Sequence, residues 1–166
     1  MALLVLVPDS GLVLATNHPR PQIRVNCSEG PVVLSSSAPL SLTVGLAAGT
    51  SAGIAADWWL VAVTPLGLYY ATPSGAWNPA AEPSQIQPIH QGPLLDLLPT
   101  EVVYVEGLPP GSYTFHFGID TLPNGQVDSA QLFFDSVPLA IAAAPVSAAR
   151  ASVERAHTEP GFGSPQ

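Results

Sequence analysis

The chain has 166 residues and a formal charge of −8, from 12 Asp and Glu against 4 Lys and Arg, and all four cations are arginines near one end or the other: Arg20, Arg24, Arg150 and Arg155. The span between Arg24 and Arg150 carries carboxylates and no cation, so nucleic acid and anionic membrane surfaces are repelled rather than recruited. With 47% hydrophobic residues, 19 prolines, 14 glycines and only 10% charged residues, the composition describes many short strands with frequent breakers and reads unlike a helical bundle.

The length fits one domain with a single core that needs no metal or disulfide staple. Cys27 is the lone cysteine, so it has no intramolecular partner, and without a flanking base it reads as buried or incidental. No apolar run reaches the ~18 residues of a membrane span.

At the N-terminus, residues 2–7 are apolar, but Pro8 and Asp9 interrupt the run and no basic residue precedes it, so it departs from a secretory signal. We expect strands over residues 3–7 and 12–16, joined by a tight turn at Pro8, Asp9, Ser10 and Gly11. A poorly ordered leader is the alternative. Residues 17–30, with the breakers His18, Pro19, Pro21, Asn26 and Gly30, read as a linker or an irregular strand. Residues 1–29 are thus expected to be a hairpin and linker ahead of a sandwich over residues 30–142.

Within that domain, strands are expected over residues 32–34 and 40–46, the second with Leu40, Leu42, Val44 and Leu46 inward. Residues 57–64 are apolar on both faces through Trp58, Trp59, Val61 and Val63, which suits a central strand. Pro65, Leu66 and Gly67 then turn the chain into a hairpin partner over residues 68–71. Residues 72–99, rich in Pro, Ser, Gly and Gln, read as one long connection, a length that is uncommon unless the segment is functional or mobile. Further strands are expected over residues 101–105, 112–119, 131–134 and 137–141. Residues 143–166 read as a short Ala-rich helix, over 146–157, and a polar tail.

The stretch from Gly107 to Asp128 is the most telling. Leu108, Pro109, Pro110 and Gly111 turn the backbone into a run in which Tyr113, Phe115, Phe117 and Ile119 share one face, with Thr114, His116 and Gly118 on the other. A Tyr at a strand start after such a turn has the form of a tyrosine corner, whose phenol bonds back to upstream backbone.

The order of several short motifs carries a resemblance. Asp57, Trp58 and Trp59 are followed by Thr64, Pro65, Gly67, Tyr69 and Tyr70, then by Gly92, Pro93, Leu94 and Leu98. Next come Gly107, Leu108, Pro110, Gly111, Tyr113, Thr114, Phe115, Phe117, Gly118 and Asp120, and finally Asn124, Gly125, Asp135, Ser136 and Val137. Over residues 30–142 this succession resembles immunoglobulin-like or fibronectin type III-like modules of secreted and cell-surface bacterial proteins. The resemblance implies an all-β, antiparallel Ig-like β-sandwich, outside the cell, with no catalytic residue to carry over.

Such modules often resemble, after the long strand, an Asp-x-Asn-x-Asn-Gly-x-x-Asp loop with the oxygen spacing of a calcium site. Here Asp120, Asn124, Gly125 and Asp128 match, Leu122 replaces a ligand, and the position twelve in the loop is Gln131 instead of a bidentate Glu. A weak calcium site on Asp120, Asn124 and Asp128 therefore competes with a plain Asn-Gly turn, and the missing ligands weigh toward the turn. The aromatic set likewise offers a carbohydrate platform on Trp59, Tyr70 and Trp77, against the more ordinary use of such rings as core or as packing beneath a long loop.

Enzymatic constellations are weak. His18, His90, His116 and His157 show no two-His metal spacing, and Ser112, His116 and Asp120, evenly spaced on one strand, stand ~13 Å apart at ~3.3 Å per residue, too far for a proton relay. The sequence therefore points to a non-catalytic extracellular structural or binding module that needs no cofactor, with calcium or carbohydrate binding as the alternative. Its expected partner is a protein or cell-surface component, with self-association through the N-terminal strand as a further route and no nucleic acid or membrane insertion.

Overall fold

A computed structural model describes residues 18–143 as two β-sheets packed face to face. The hairpin expected over residues 3–16 and the helix expected over 146–157 lie outside the described residues. Ten strands occur in chain order: β1 (Arg20–Val25), β2 (Val32–Ser35), β3 (Leu40–Ala47), β4 (Ala55–Thr64), β5 (Gly67–Ala71), β6 (Trp77–Ala80), β7 (His90–Pro93), β8 (Leu97–Val105), β9 (Gly111–Asp120) and β10 (Leu132–Ala142). Among the described residues the helical turns are two short 3-10 turns, Gly49–Ser51 and Pro83–Gln85. No helix among the described residues is long and apolar enough to cross a membrane.

The smaller sheet has the order β1-β3-β8; the larger has β2-β10-β9-β4-β5-β6, with β7 also paired to β4. All pairings are antiparallel except β2 with β10, where Leu139 stands beside Val32 and Ala142 beside Ser35. The central strand β4 is flanked along one side by β9 and along the other by β7 for its first half and β5 for its second. Its two apolar faces follow from that position: Ala56, Leu60 and Ala62 join the core, and Trp59 is buried on the opposite face.

Alternation builds the core. β3 contributes Leu40, Leu42, Val44 and Leu46; β9 contributes Tyr113, Phe115, Phe117 and Ile119; β10 adds Val137, Leu139 and Ile141. Facing them from the first strand are Ile23 and Val25, both fully buried.

That last contact corrects the reading of residues 17–30 as a linker or irregular strand. β1 is a regular six-residue strand paired with β3 from Arg20 opposite Ala47 to Val25 opposite Leu42. The long connection over residues 72–99 is corrected as well, since it contains β6, β7 and the start of β8. The two strands expected over 131–134 and 137–141 are one strand, β10, with Pro138 set one residue before the pairing with β2 begins at Leu139.

The two flanks of the sandwich differ. On one flank β1 lies against β10, and the Ile23 N–H donates to Asp135 Oδ2 at 2.9 Å, so the free edge of β1 is engaged by a side chain of the other sheet. On the opposite flank β8 is the edge of the smaller sheet and, among the described residues, pairs only with β3. Two register shifts interrupt that pairing, between Leu42 and Thr43 and between Val44 and Leu46.

Candidate binding cleft

The open flank is organised by the turn before β9. Tyr113 is buried, and its phenol donates to the Pro109 carbonyl at 2.8 Å, closing the corner expected from the sequence. Burial also raises the pKa of the Tyr113 phenol, which keeps the donor protonated. Gly111 permits the close approach of this turn to the β4–β5 hairpin, because a Cβ there would stand 2.3 Å from Pro65 Cγ. The corner thereby sets Leu108 and Pro109 beside Leu66 at one end of the sandwich.

Between β8 and the β5–β6 edge lies a cleft of about 610 Å³. Its floor is Ala62, Tyr69, Trp77 and Phe115, its wall is Val103 and Val105, and its lip is Leu66 and Leu108. The Trp77 ring meets Phe115 edge to face at a centroid distance of 6.4 Å, a geometry that favours aromatic pairs and holds the indole in place. Among the described residues no charged side chain lines the cleft. The outer face of β8 carries Val102 at 41% and Tyr104 at 60% exposure, both large and apolar on a sheet edge. Tyr104 donates to Glu106 at 3.1 Å, and that bond, followed by the Glu106 charge, raises its pKa. With Glu101 on the same strand, bonded by the Ser41 hydroxyl, the rim is acidic.

The sequence-predicted aromatic platform is not assembled. Trp59 and Tyr70 are 3% and 8% exposed and lie on the outer face of the larger sheet, as the pairing of Tyr70 with Val61 requires. Trp77 stands opposite Ala71 on the core face. Neither Trp59 nor Tyr70 offers a free ring face for a sugar, and only Trp77 belongs to the cleft.

Trp59 instead lines a second, smaller space of about 300 Å³ with His116, Phe134, Ile86 and Val127, the last two reaching over it from the connections that flank β7 and β10. His116 Nδ1 is 2.7 Å from Ser136 Oγ, and burial lowers the histidine pKa.

In the Asp120 to Asp128 loop, the Asp120 carboxylate is turned to backbone donors and that of Asp128 to the Asn124 side chain. Asp120 Oδ1 accepts from the Leu122 N–H at 2.9 Å and Oδ2 from the Asp128 N–H at 2.6 Å. Asp57 stands opposite Asp120 across the β4–β9 pair; it accepts from Gln91 Nε2 and from the Gly125 N–H, each at 2.7 Å. Asn124 donates to Asp128 at 2.7 Å and accepts from the Gln126 N–H. Asp57 and Asp120 are fully buried, and each is satisfied by two donors, so this network fastens the loop to the end of the β4–β9 pair. Among the described residues no group of three or more His, Cys, Asp or Glu side chains is placed to hold a metal ion.

One further expectation, that Cys27 is buried, is corrected. Cys27 is exposed, in a turn where Asn26 and Cys27 both adopt left-handed backbone conformations. His116 meets Ser136, and Asp120 meets the loop backbone.

Sequence reasoning located Trp77 but missed Leu66, Val103, Val105 and Leu108 as cleft residues. The one usable signal was the pair Val102 and Tyr104, apolar positions alternating with Val103 and Val105, so that both faces of β8 are apolar at a sheet edge. Comparison with protein-family models finds no matching family, and comparison with curated proteins finds no match; the cleft is therefore read from its own geometry.

Proposed function

We propose that this chain is a non-catalytic β-sandwich binding module that receives an extended, apolar protein segment in the cleft between β8 and the β5–β6 edge. The observation that carries the reading is the conjunction of that uncharged cleft with an adjacent sheet edge whose outward side chains, Val102 and Tyr104, are exposed and apolar. An edge strand supplies main-chain N–H and C=O groups for an added strand, and an adjoining cleft supplies pockets for its alternate side chains. The acidic rim at Glu101 and Glu106 disfavours anionic partners.

The finer reading is an immunoglobulin-like module of an extracellular protein. It is supported by the strand order, with a three-stranded sheet facing one extended by β5 and β6, and by the tyrosine corner on β9. The extracellular setting rests on the resemblance in residue order alone.

The test is a titration with a synthetic eight-residue peptide of alternating Val and Thr, followed by tryptophan fluorescence, up to a concentration of ~1 mM, which detects binding free energies of about 4 kcal/mol. We expect a saturable change that is absent in Val103→Glu, whose carboxylate enters the cleft wall, and absent in Trp77→Phe, which removes the reporter. A response of equal size in all three proteins, or none in any, overturns the reading.

A further inference from the structure

We propose that the hollow on the outer face of the larger sheet is a second binding site, which receives a small, planar, uncharged molecule carrying a hydrogen-bond acceptor, and that the Trp59 indole N–H is its donor. The hollow shares no lining residue with the cleft beside β8, so it goes beyond the proposed function and does not rest on it.

Strand register builds the site. Across the sheet, Trp59 on β4 stands opposite Gly118 on β9, and Gly118 stands opposite Phe134 on β10. The side chains of such a row share one face, and here the middle one is missing. Two strand spacings, about 9.5 Å, separate the backbones that carry the two aromatic residues, more than the ~7–8 Å that two face-to-face contacts occupy. The next row brings Val61 and His116 to the same space, and Leu132 borders it from β10. The volume of about 300 Å³ is at the small end of ligand sites.

The row on the other side is Asp57 and Asp120, the two buried carboxylates that hold the Gly125 and Asp128 N–H groups. Val127 lies between those two anchored residues and covers the hollow from one side, while Ile86 covers it from the connection before β7. The network that fastens the loop therefore also sets part of the roof.

The chemistry of the lining selects the ligand. Trp59 is buried, and its Nε1–H is shielded from water without an acceptor among the described residues. A buried donor left unpaired is costly and uncommon, and an acceptor on a ligand removes that cost. Trp58 Nε1 also lacks an acceptor, but that ring packs with His90 and Phe117 and lines neither the cleft nor the hollow. Apart from the Trp59 N–H and His116, the side chains around the hollow are apolar, and His116 Nδ1 is engaged by Ser136 Oγ. Among the described residues no carboxylate, Lys or Arg lines it, so an ionised ligand finds no counter-charge there. Burial lowers the His116 pKa and keeps that ring neutral at pH 7. Trp59 and Phe134 on opposite sides favour a flat ring over a saturated chain.

The experiment follows the three indole N–H signals of the full chain by two-dimensional NMR, each assigned by its Trp→Phe variant. The probes are acetophenone, a flat ring with one carbonyl, and ethylbenzene, of similar shape without an acceptor, each titrated to ~1 mM. We expect acetophenone to move the Trp59 signal saturably, to leave the Trp77 signal in place, and to bind at least ~5-fold more tightly than ethylbenzene. Equal affinity for the two probes removes the donor role, movement of the Trp77 signal alone sends the probe to the cleft, and no saturable shift shows that the hollow is only a gap in packing. Each of these results overturns the proposal.

Two variants locate the site. In Gly118→Ala the new Cβ would stand 3.2 Å from Leu132 Cδ1 and 3.4 Å from Phe134 Cβ, so it fills the floor and is expected to weaken acetophenone binding at least ~10-fold. Phe134 is exposed, so Phe134→Ala removes one wall with little effect on folding, and it decides the matter if Gly118→Ala does not fold. A loss of at least ~3-fold in Phe134→Ala supports the proposal; unchanged affinity in that variant, or in a folded Gly118→Ala, overturns it. The Val-Thr peptide, read at Trp77, tests the cleft separately, so failure of one site leaves the other standing.

Discussion

Tyr113 works at both ends of its side chain: the ring is buried among core residues and the hydroxyl holds Pro109. Tyr113→Phe keeps the ring and leaves the Pro109 carbonyl without its donor, so we expect a loss of about 1–2 kcal/mol in chemical denaturation. Thr114→Ala, one residue on and facing the other side of β9, is expected to be near neutral. Equal losses for the two would show that the hydroxyl bond contributes nothing specific. His116 offers a different test, because burial lowers its pKa below the ordinary ~6.5. The unfolded chain then binds more protons than the folded one, so stability from this group falls as pH drops through ~6.5 and levels off only below the folded pKa. A His116→Gln variant should lose that part of the slope between pH 7 and 5. Parallel stability profiles for the two proteins would contradict it.

At the scale of elements, the strands legible from sequence are those whose inward residues form a long run. β3 and β9 each show four alternating apolar positions, and the β4–β5 hairpin is announced by Pro65, Leu66 and Gly67. β1 was obscured because only Ile23 and Val25 point inward and Pro21 stands beside them; its regularity comes from β3, which is distant in sequence. β7 buries none of its four residues, and is held by backbone pairing to β4, which leaves no hydrophobic period to read. The cleft was illegible for a related reason: it depends on which strand ends a sheet, and edge position is a property of pairing.

The loop after β9 was legible as an Asn-Gly turn, but its anchor, Asp57, lies on β4 and gave no local signal. Asp57→Asn can accept from only one of Gln91 and Gly125 and sets an NH2 group against the other donor. We expect a loss of about 1–3 kcal/mol and faster exchange of the amides at residues 122–128. Unchanged exchange there would mean that the loop is held by its own bonds. Because Asp120 is already engaged by two backbone donors, calcium at ~1 mM, the weak end of extracellular sites, is expected to leave the melting temperature unchanged. A rise that disappears in Asp120→Asn would return the loop to metal binding.

For the molecule as a whole, charge is the property that reaches beyond any one contact. Between Arg24 and Arg150 no Lys or Arg opposes the carboxylates from Glu29 to Asp135, and the ion pair that is shown, Arg24 with Glu29 at 2.7 Å, sits at the surface where such pairs contribute little. Folding gathers these like charges into a smaller volume, so their repulsion opposes the compact state. Raising NaCl from ~10 mM to ~150 mM shortens the screening length from ~30 Å to ~8 Å, which weakens that repulsion more than it weakens one exposed pair. The melting temperature is therefore expected to rise over this range, and retention on DNA to be absent at its upper end. A melting temperature that falls as NaCl is added would mean that attractive pairs outweigh the net charge of −8, and the cleft rim at Glu101 and Glu106 would then have to be treated as part of a stabilising network instead of a barrier to anionic partners.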